Sequence, residues 1–270
     1  MASIKPVSVD WMHIDPNHFG ARFHPERVSF FSTNIHNLVG SAYGSPTSVP
    51  QVTGPARTDN DYYDIEATFP IGSTPFDVMK MLQALLKDRF KLTFHIEKRE
   101  RTVYALVVGK HGAKLTPSDP GIAAVDMTAP LKPGEKYLGE GSGRIKSVAN
   151  ADGSSKMVTS DGTTSSIAFN KEDRLQQTEI NRCTMADLAG EIQRALIWSG
   201  EKMDVVDQTG IKGEYQVAYS FAFRAHDTEG ESRGIMPLLD SLEKMGLTLQ
   251  KIKVQDDFYV IDHVEKPSEN

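Results

Sequence analysis

Two stretches of the chain, residues 75–108 and 235–264, share one pattern of apolar and polar positions. In the first stretch, Ser73 and Thr74 precede Pro75, which is typical of a helix start. The apolar residues that follow at helical spacing are Phe76, Met79, Leu82, Leu85 and Leu86. Alternation then predicts a strand over 91–99, a polar turn at 98–101 and a second strand over 103–108. The predicted unit is therefore helix, strand, turn, strand.

The second stretch repeats this unit, with Gly246 where a helix C-terminal cap needs positive φ and a turn at 255–257. Leu82, Leu85, Phe90 and Leu92 align with Leu239, Leu242, Leu247 and Leu249 at one constant offset. Residues 34–38 and 63–65 likewise match 184–188 and 215–217 in the same order. Three matching blocks in order predict an internal duplication.

Each predicted repeat is β-α-β-α-β-β, with helices on one side of small mixed sheets, which makes an α+β fold. Residues 1–115 form the first predicted repeat, and residues 174–270 form the second. Between them, 116–173 predicts a linker and a β-hairpin insertion, because Asp152-Gly153 and Asp161-Gly162 are strong hairpin turns.

The amino-acid composition and net charge limit the kinds of function that the protein can have. The chain has 270 residues, 39% hydrophobic and 24% charged, which is typical of a globular protein. A formal charge of −6 argues against a nucleic-acid partner, and no apolar run approaches the roughly 20 residues that span a bilayer. Cys183, the only cysteine, excludes an intrachain disulfide and is interpreted as a small buried residue rather than a reactive thiol.

The first loop carries His13, Asp15, His18 and His24. Three imidazoles within a dozen residues would supply ligands to a divalent transition metal such as zinc, with Asp15 as the fourth ligand or as an orienting group. Their spacing matches no established zinc motif, so solvent-exposed loop histidines remain the alternative.

A second candidate site lies on the predicted hairpin strands. His95 has Glu97 two residues along, and His263 has Asp262 and Glu265 as acidic neighbours. A histidine–carboxylate pair can act in general acid–base catalysis. The alternative is structural: His95 shares a strand face with Glu97, and the carboxylates only orient the ring.

Several runs of the sequence resemble the "soil-associated protein" family of acidobacterial genomes, a domain of unknown function. They are residues 81–92 with His95, residues 103–108, residues 207–215 and the terminus at 260–270. The resemblance implies an exported protein, because members carry signal peptides and some such domains follow membrane-bound sensor peptidases. It supplies no activity and no catalytic residue. Each repeat also resembles the short N-terminal domain of secretins and TonB-dependent receptors, which implies binding or signalling.

Residues 1–9 lack a signal-peptide pattern, as expected of a cytoplasmic protein or of an exported chain that starts at its mature end. Aromatic residues in or beside loops are candidates for stacking on a sugar or a peptide: Trp11, Phe19, Tyr43, Tyr62, Tyr63, Tyr137 and Trp198.

The leading hypothesis is an exported binding or sensor module without catalysis, whose partner is a small molecule, a glycan or a peptide. The alternative is a hydrolase, metal-dependent or not, with its site at the histidine loop or between the repeats. A third hypothesis is a scaffold that pairs its sheet edges with another chain. The oligomeric state is left open.

Overall fold

A computed structural model describes residues 2–10, 18, 20–24, 26–44, 51–138, 144–201, 203–223 and 235–267. These residues form small sheets and five helices, which confirms the predicted α+β class. The chain divides into two compact units. Unit 1 comprises Met1–Arg101 with Gln255–Asn270, and unit 2 comprises Thr102–Val254. The division into two repeats and an insertion stays a prediction about the sequence.

The chain up to residue 108 contains six strands and three helices among its described residues. They are β1 (Ala2–Val7), β2 (Gly20–Phe23), β3 (Arg27–Asn34), α1 (Ile35–Tyr43), β4 (Gln51–Thr53), α2 (Arg57–Asn60), β5 (Tyr62–Thr68), α3 (Pro75–Phe90) and β6 (Thr93–Val108). In unit 1, an antiparallel sheet has the order β1-β5-β3-β2, and α1 and α3 bury their apolar residues in the same core.

The rest of the described chain contains nine strands and two helices. They are β7 (Thr116–Pro117), β8 (Glu135–Leu138), β9 (Ile145–Ala149), β10 (Ser155–Val158), β11 (Thr164–Asn170), β12 (Leu175–Cys183), α4 (Met185–Trp198), β13 (Val205–Asp207), β14 (Tyr215–Ala222), α5 (Met236–Lys244) and β15 (Leu247–His263). A seven-stranded sheet has the order β7-β14-β12-β11-β10-β9-β8. The predicted hairpins are confirmed: β9, β10 and β11 pair antiparallel, with positive φ at Gly153 and Gly162 in the turns.

Helix α3 begins as its sequence predicts. Thr74 accepts a hydrogen bond from the Asp77 backbone N–H, and the Asp77 carboxylate accepts one from Thr74 N–H, so a capping box satisfies both donors. The predicted apolar face is only partly right. Residues 78, 82, 86 and 90 form the buried stripe, whereas Phe76 is 62% exposed beneath the Lys80 ammonium.

The predicted turns at 98–101 and 255–257 are wrong, because β6 and β15 each run unbroken through them. Two of the charged residues that suggested a turn pair with carboxylates of the neighbouring strand. In unit 1, Arg101 Nε donates to Asp256 Oδ2 at 2.7 Å, and Lys98 Nζ lies 3.1 Å from Asp257 Oδ1. A charged run on an exposed strand face and a solvated turn have the same local composition.

The unbroken strands complete both units. In unit 1, the 93–101 part of β6 lies beside the 255–263 part of β15, and β4 pairs parallel with Phe258–Val260. In unit 2, the 102–108 part of β6 lies beside the 247–254 part of β15, and β13 pairs parallel with Tyr104–Leu106. Each unit therefore takes one strand segment from each half of the sequence.

Candidate functional site

The structure brings together three of the predicted catalytic candidates in unit 1. His95 and Glu97 alternate on β6 and so share a face, and Asp262 lies opposite them on β15. His95 Nδ1 is 2.8 Å from Asp262 Oδ1, and His95 Nε2 is 2.9 Å from Glu97 Oε1. All three side chains are about half exposed. The group lies on an open strand face.

Two carboxylates on one ring set the protonation of His95. A neutral imidazole has one donor and one acceptor nitrogen, whereas an imidazolium donates from both. Hydrogen bonds to Glu97 and then to Asp262 accordingly raise the pKa of His95 above its ordinary value of 6.5. His95 and then Arg99 lower the pKa of Glu97 below 4.5. A general base needs a free lone pair, and in this arrangement both ring nitrogens already face a carboxylate oxygen.

These shifts define a pH window for the cross-strand group. The raised pKa of His95 adds stability that is complete below pH 6.5 and is lost as pH rises through the raised value. The lowered pKa of Glu97 adds stability that is complete above pH 4.5 and is lost as pH falls through the lowered value. The contacts of His95 and Glu97 therefore contribute most to stability between pH 4.5 and 6.5.

We expect Glu97→Gln to lower the pKa of His95 more than Asp262→Asn does, because Glu97 is the larger cause of the upward shift. An NMR titration of the His95 ring protons in the wild type and both variants measures this directly. A His95 pKa at or below 6.5 in the wild type, or one that neither variant changes, would contradict the assignment.

His263 does not share the contacts of this group and pairs with a different carboxylate. Its Nε2 is 2.9 Å from Glu265 Oε1, while the neighbouring Asp262 reaches across to His95. Of the two acidic neighbours of His263, Asp262 points to the other strand face, because adjacent strand residues alternate. Glu265 is the neighbour that His263 contacts, and both side chains are exposed.

Two of the four predicted metal ligands, His13 and Asp15, lie outside the described residues. His18 Nε2 is 2.6 Å from Asp64 Oδ2, and His24 follows the other end of β2. Within the described part of the chain, no group of three His, Cys, Asp or Glu side chains is placed to hold a metal ion. The predicted zinc site stays a prediction.

A local arrangement that the sequence did not predict surrounds His18. Ser32 has φ of 50° at a β-bulge between Phe30 and Thr33, and its N–H donates to Asp64 Oδ1 at 2.9 Å. The Ser32 hydroxyl donates to the backbone oxygen of His18 at 3.1 Å, rather than to its ring. Asp64 therefore anchors the bulge and the ring together. This is not the nucleophile–base hydrogen bond of a serine hydrolase.

Cys183 is buried, and burial raises its pKa to about 12. Its thiol donates to Thr184 O at 3.3 Å. A thiol with this pKa is protonated at neutral pH, so it does not act as a nucleophile.

A cleft of about 750 Å³ lies in unit 1 beside the end of β1. One wall is apolar, with Ile4, Pro6, Val7, Val9 and Pro267. The other groups are Ser8, Asn60, Asp61, Tyr62, Tyr63 and Lys266. Its size lies in the range of small-molecule sites, and Asp61 and Lys266 give it one charge of each sign.

Comparison with known proteins gives one match. A family model described as "Protein of unknown function (DUF3738)" matches residues 36–264. No curated protein and no solved structure matches the chain. The predicted membership of a family of unknown function is confirmed, whereas the soil-associated identification and the likeness to the secretin and TonB-receptor domain stay predictions. Among the described residues, no helix is long and apolar enough to cross a membrane.

Proposed function

The chain belongs to this DUF3738 family, whose description assigns no activity, and we propose that it is a binding module whose ligand enters the cleft beside β1. The observation that carries the proposal is the cleft itself. It combines a ligand-sized volume, an apolar wall and a few polar groups, which is the usual composition of a small-molecule site.

The cleft favours a short apolar peptide. Lys266 suits a terminal carboxylate, and Asp61 suits a terminal ammonium, since charge-assisted hydrogen bonds are the strong ones. Val7, Val9 and Pro267 add apolar surface to the same lining. In the sheet order β1-β5-β3-β2, β1 is an edge strand, so an extended peptide can add main-chain hydrogen bonds along it.

The side chains considered for catalysis support binding over turnover. Both ring nitrogens of His95 face carboxylates, which favours its protonated form, and the pKa of Cys183 is far above neutrality. Ser32 donates to a backbone oxygen and not to an imidazole. The hydrolase hypothesis therefore gains no specific observation from these residues.

Calorimetric titration of the protein with trileucine tests the proposal. We expect the free peptide to bind and Lys266→Met to weaken its binding about tenfold, because one charge-assisted hydrogen bond contributes on the order of 1.5 kcal/mol. The N-acetylated, C-amidated peptide should bind more weakly and be insensitive to the substitution.

Lys136→Met is the matched control, since Lys136 is also exposed but lies on β8 in unit 2. Equal affinity for both peptide forms, or equal effects of the two lysine substitutions, would contradict the ligand class. Steady release of leucine, followed by chromatography of the same samples, would support the hydrolase instead.

A further inference from the structure

A second, smaller depression lies in unit 2, where α4 crosses the seven-stranded sheet. It has a volume of about 210 Å³. Its helix side is formed by Glu191, Arg194, Ala195 and Trp198, which lie on one face of α4 at helical spacing. Its sheet side is formed by alternate residues of β10, β11, β12 and β14. A single sugar-sized ring would occupy this space.

Trp198 is the prominent feature of its rim. The indole is 59% exposed, which is a large apolar area to leave in water. Its ring centroid is 5.7 Å from that of Phe223, and Phe223 in turn contacts Phe169 and Phe221 at 5.5 and 5.0 Å. The aromatic neighbours hold the indole in place, so little side-chain entropy is lost when a ligand stacks on it.

The polar groups inside the depression balance one another in charge. The hydroxyl of Tyr219 donates to Glu191 Oε2 at 2.7 Å, and burial raises the pKa of Tyr219, which keeps that proton in place. Arg194 pairs with the same carboxylate. Gln176 Nε2 donates to Thr178 Oγ1 at 3.1 Å on β12. The lining thus presents donors and acceptors without net charge.

We propose that this depression binds a neutral pyranose unit of a glycan. A pyranose has an apolar C–H face that stacks on an indole and hydroxyl groups that both donate and accept hydrogen bonds. Trp198 supplies the first kind of contact. Gln176, Glu191 and Arg194 supply the second.

Other ligand classes fit this depression less well. A purely apolar ligand would strip water from Glu191 and Arg194 without replacing their hydrogen bonds, which is costly. An anionic ligand would find no net positive charge, since Arg194 is already paired with Glu191. A peptide strand needs an open sheet edge, whereas β10, β11, β12 and β14 are all interior in the described sheet order.

Tryptophan fluorescence tests the proposal, because the chain contains only Trp11 and Trp198. In a Trp11→Phe background, all tryptophan emission comes from Trp198. Titration with cellohexaose, maltohexaose, xylohexaose and chitohexaose should give a saturable change in that emission with at least one of them. Calorimetry in the wild-type background should show that Trp198→Ala weakens binding of the same oligosaccharide at least tenfold.

Ile197→Ala is the matched control, because Ile197 is the adjacent α4 residue, is 51% exposed and is absent from the lining. It should leave the affinity within twofold, and circular dichroism should show equal helix content in both variants. The proposal is overturned if none of the four oligosaccharides changes the emission, or if Ile197→Ala weakens binding as much as Trp198→Ala. Lys266→Met should leave oligosaccharide binding intact, which separates this site from the peptide cleft.

Discussion

Gly246→Ala is expected to destabilise the protein by about 2–5 kcal/mol. Gly246 follows α5 with φ of 71°, and a Cβ there would lie 2.0 Å from Gly112 O and 2.9 Å from its carbonyl carbon. These are backbone atoms of unit 2 that cannot rotate away. Left-handed backbone costs a non-glycine residue roughly 1–2 kcal/mol, and overpacking adds about 1–3 kcal/mol.

The backbone around Gly246 has little room to relax. Gly109 N–H donates to Gly246 O at 2.8 Å, and Lys114 N–H donates to Met245 O at 2.8 Å. Moving residues 109–114 to admit a methyl group would therefore break hydrogen bonds as well as packing. The free energy of unfolding, from urea titration followed by circular dichroism, measures the loss.

Gly210→Ala separates strain from collision. Gly210 has φ of 68°, and no heavy atom lies within 4 Å of the Cβ position. Only the conformational penalty remains, so we expect a loss of about 1 kcal/mol. If the two substitutions lower the free energy of unfolding equally, the close contact between the Gly246 Cβ position and Gly112 does not cause the loss.

Phe90→Ala is expected to cost about 3–5 kcal/mol, the range for truncating a fully buried phenylalanine. Phe90 is fully buried at the end of α3, and its ring lies edge-on to Tyr63 at 5.2 Å between centroids. The substitution would leave a cavity among the buried apolar residues of the unit 1 core. Urea titration again gives the free energy of unfolding.

Phe76→Ala on the same helix is the control for residue type. Its ring is mostly exposed and contacts the Lys80 ammonium 4.5 Å away, so we expect a change of no more than about 0.5 kcal/mol. A large loss from Phe76→Ala, or a small one from Phe90→Ala, would show that the buried stripe of α3 is assigned to the wrong face.

Local patterns predicted several elements because their causes are local. Thr74 and Asp77 cap α3 through bonds that span three residues, and the Asp-Gly pairs turn the hairpins of unit 2 through their own backbone preferences. The position of Gly246 after a helix predicted a positive φ, and its φ is 71°. The prediction that Phe76 lies on the buried face was wrong, because apolar spacing alone does not show where the core begins.

In the candidate site, too, the local contact was predictable from the sequence and the long-range contact was not. His95 and Glu97 are two residues apart on a strand, so their shared face followed from alternation. Asp262 comes from 167 residues away, and no local signal indicated that it would hold the second ring nitrogen of His95. That contact changes the expected chemistry, because it engages the second ring nitrogen of a candidate base and raises its pKa.

The sequence by itself determined the capped start of α3, the two Asp-Gly hairpin turns and the α+β class, since periodicity, caps and turn residues act over a few positions. Only the tertiary structure decided that residues 98–101 and 255–257 continue strands instead of turning. Arg101 and Asp256 neutralise each other across two strands, and a strand face paired in this way can carry charges that would otherwise indicate a loop. Pairing between distant segments is set by complementary partners, and those become visible only when the chain is folded.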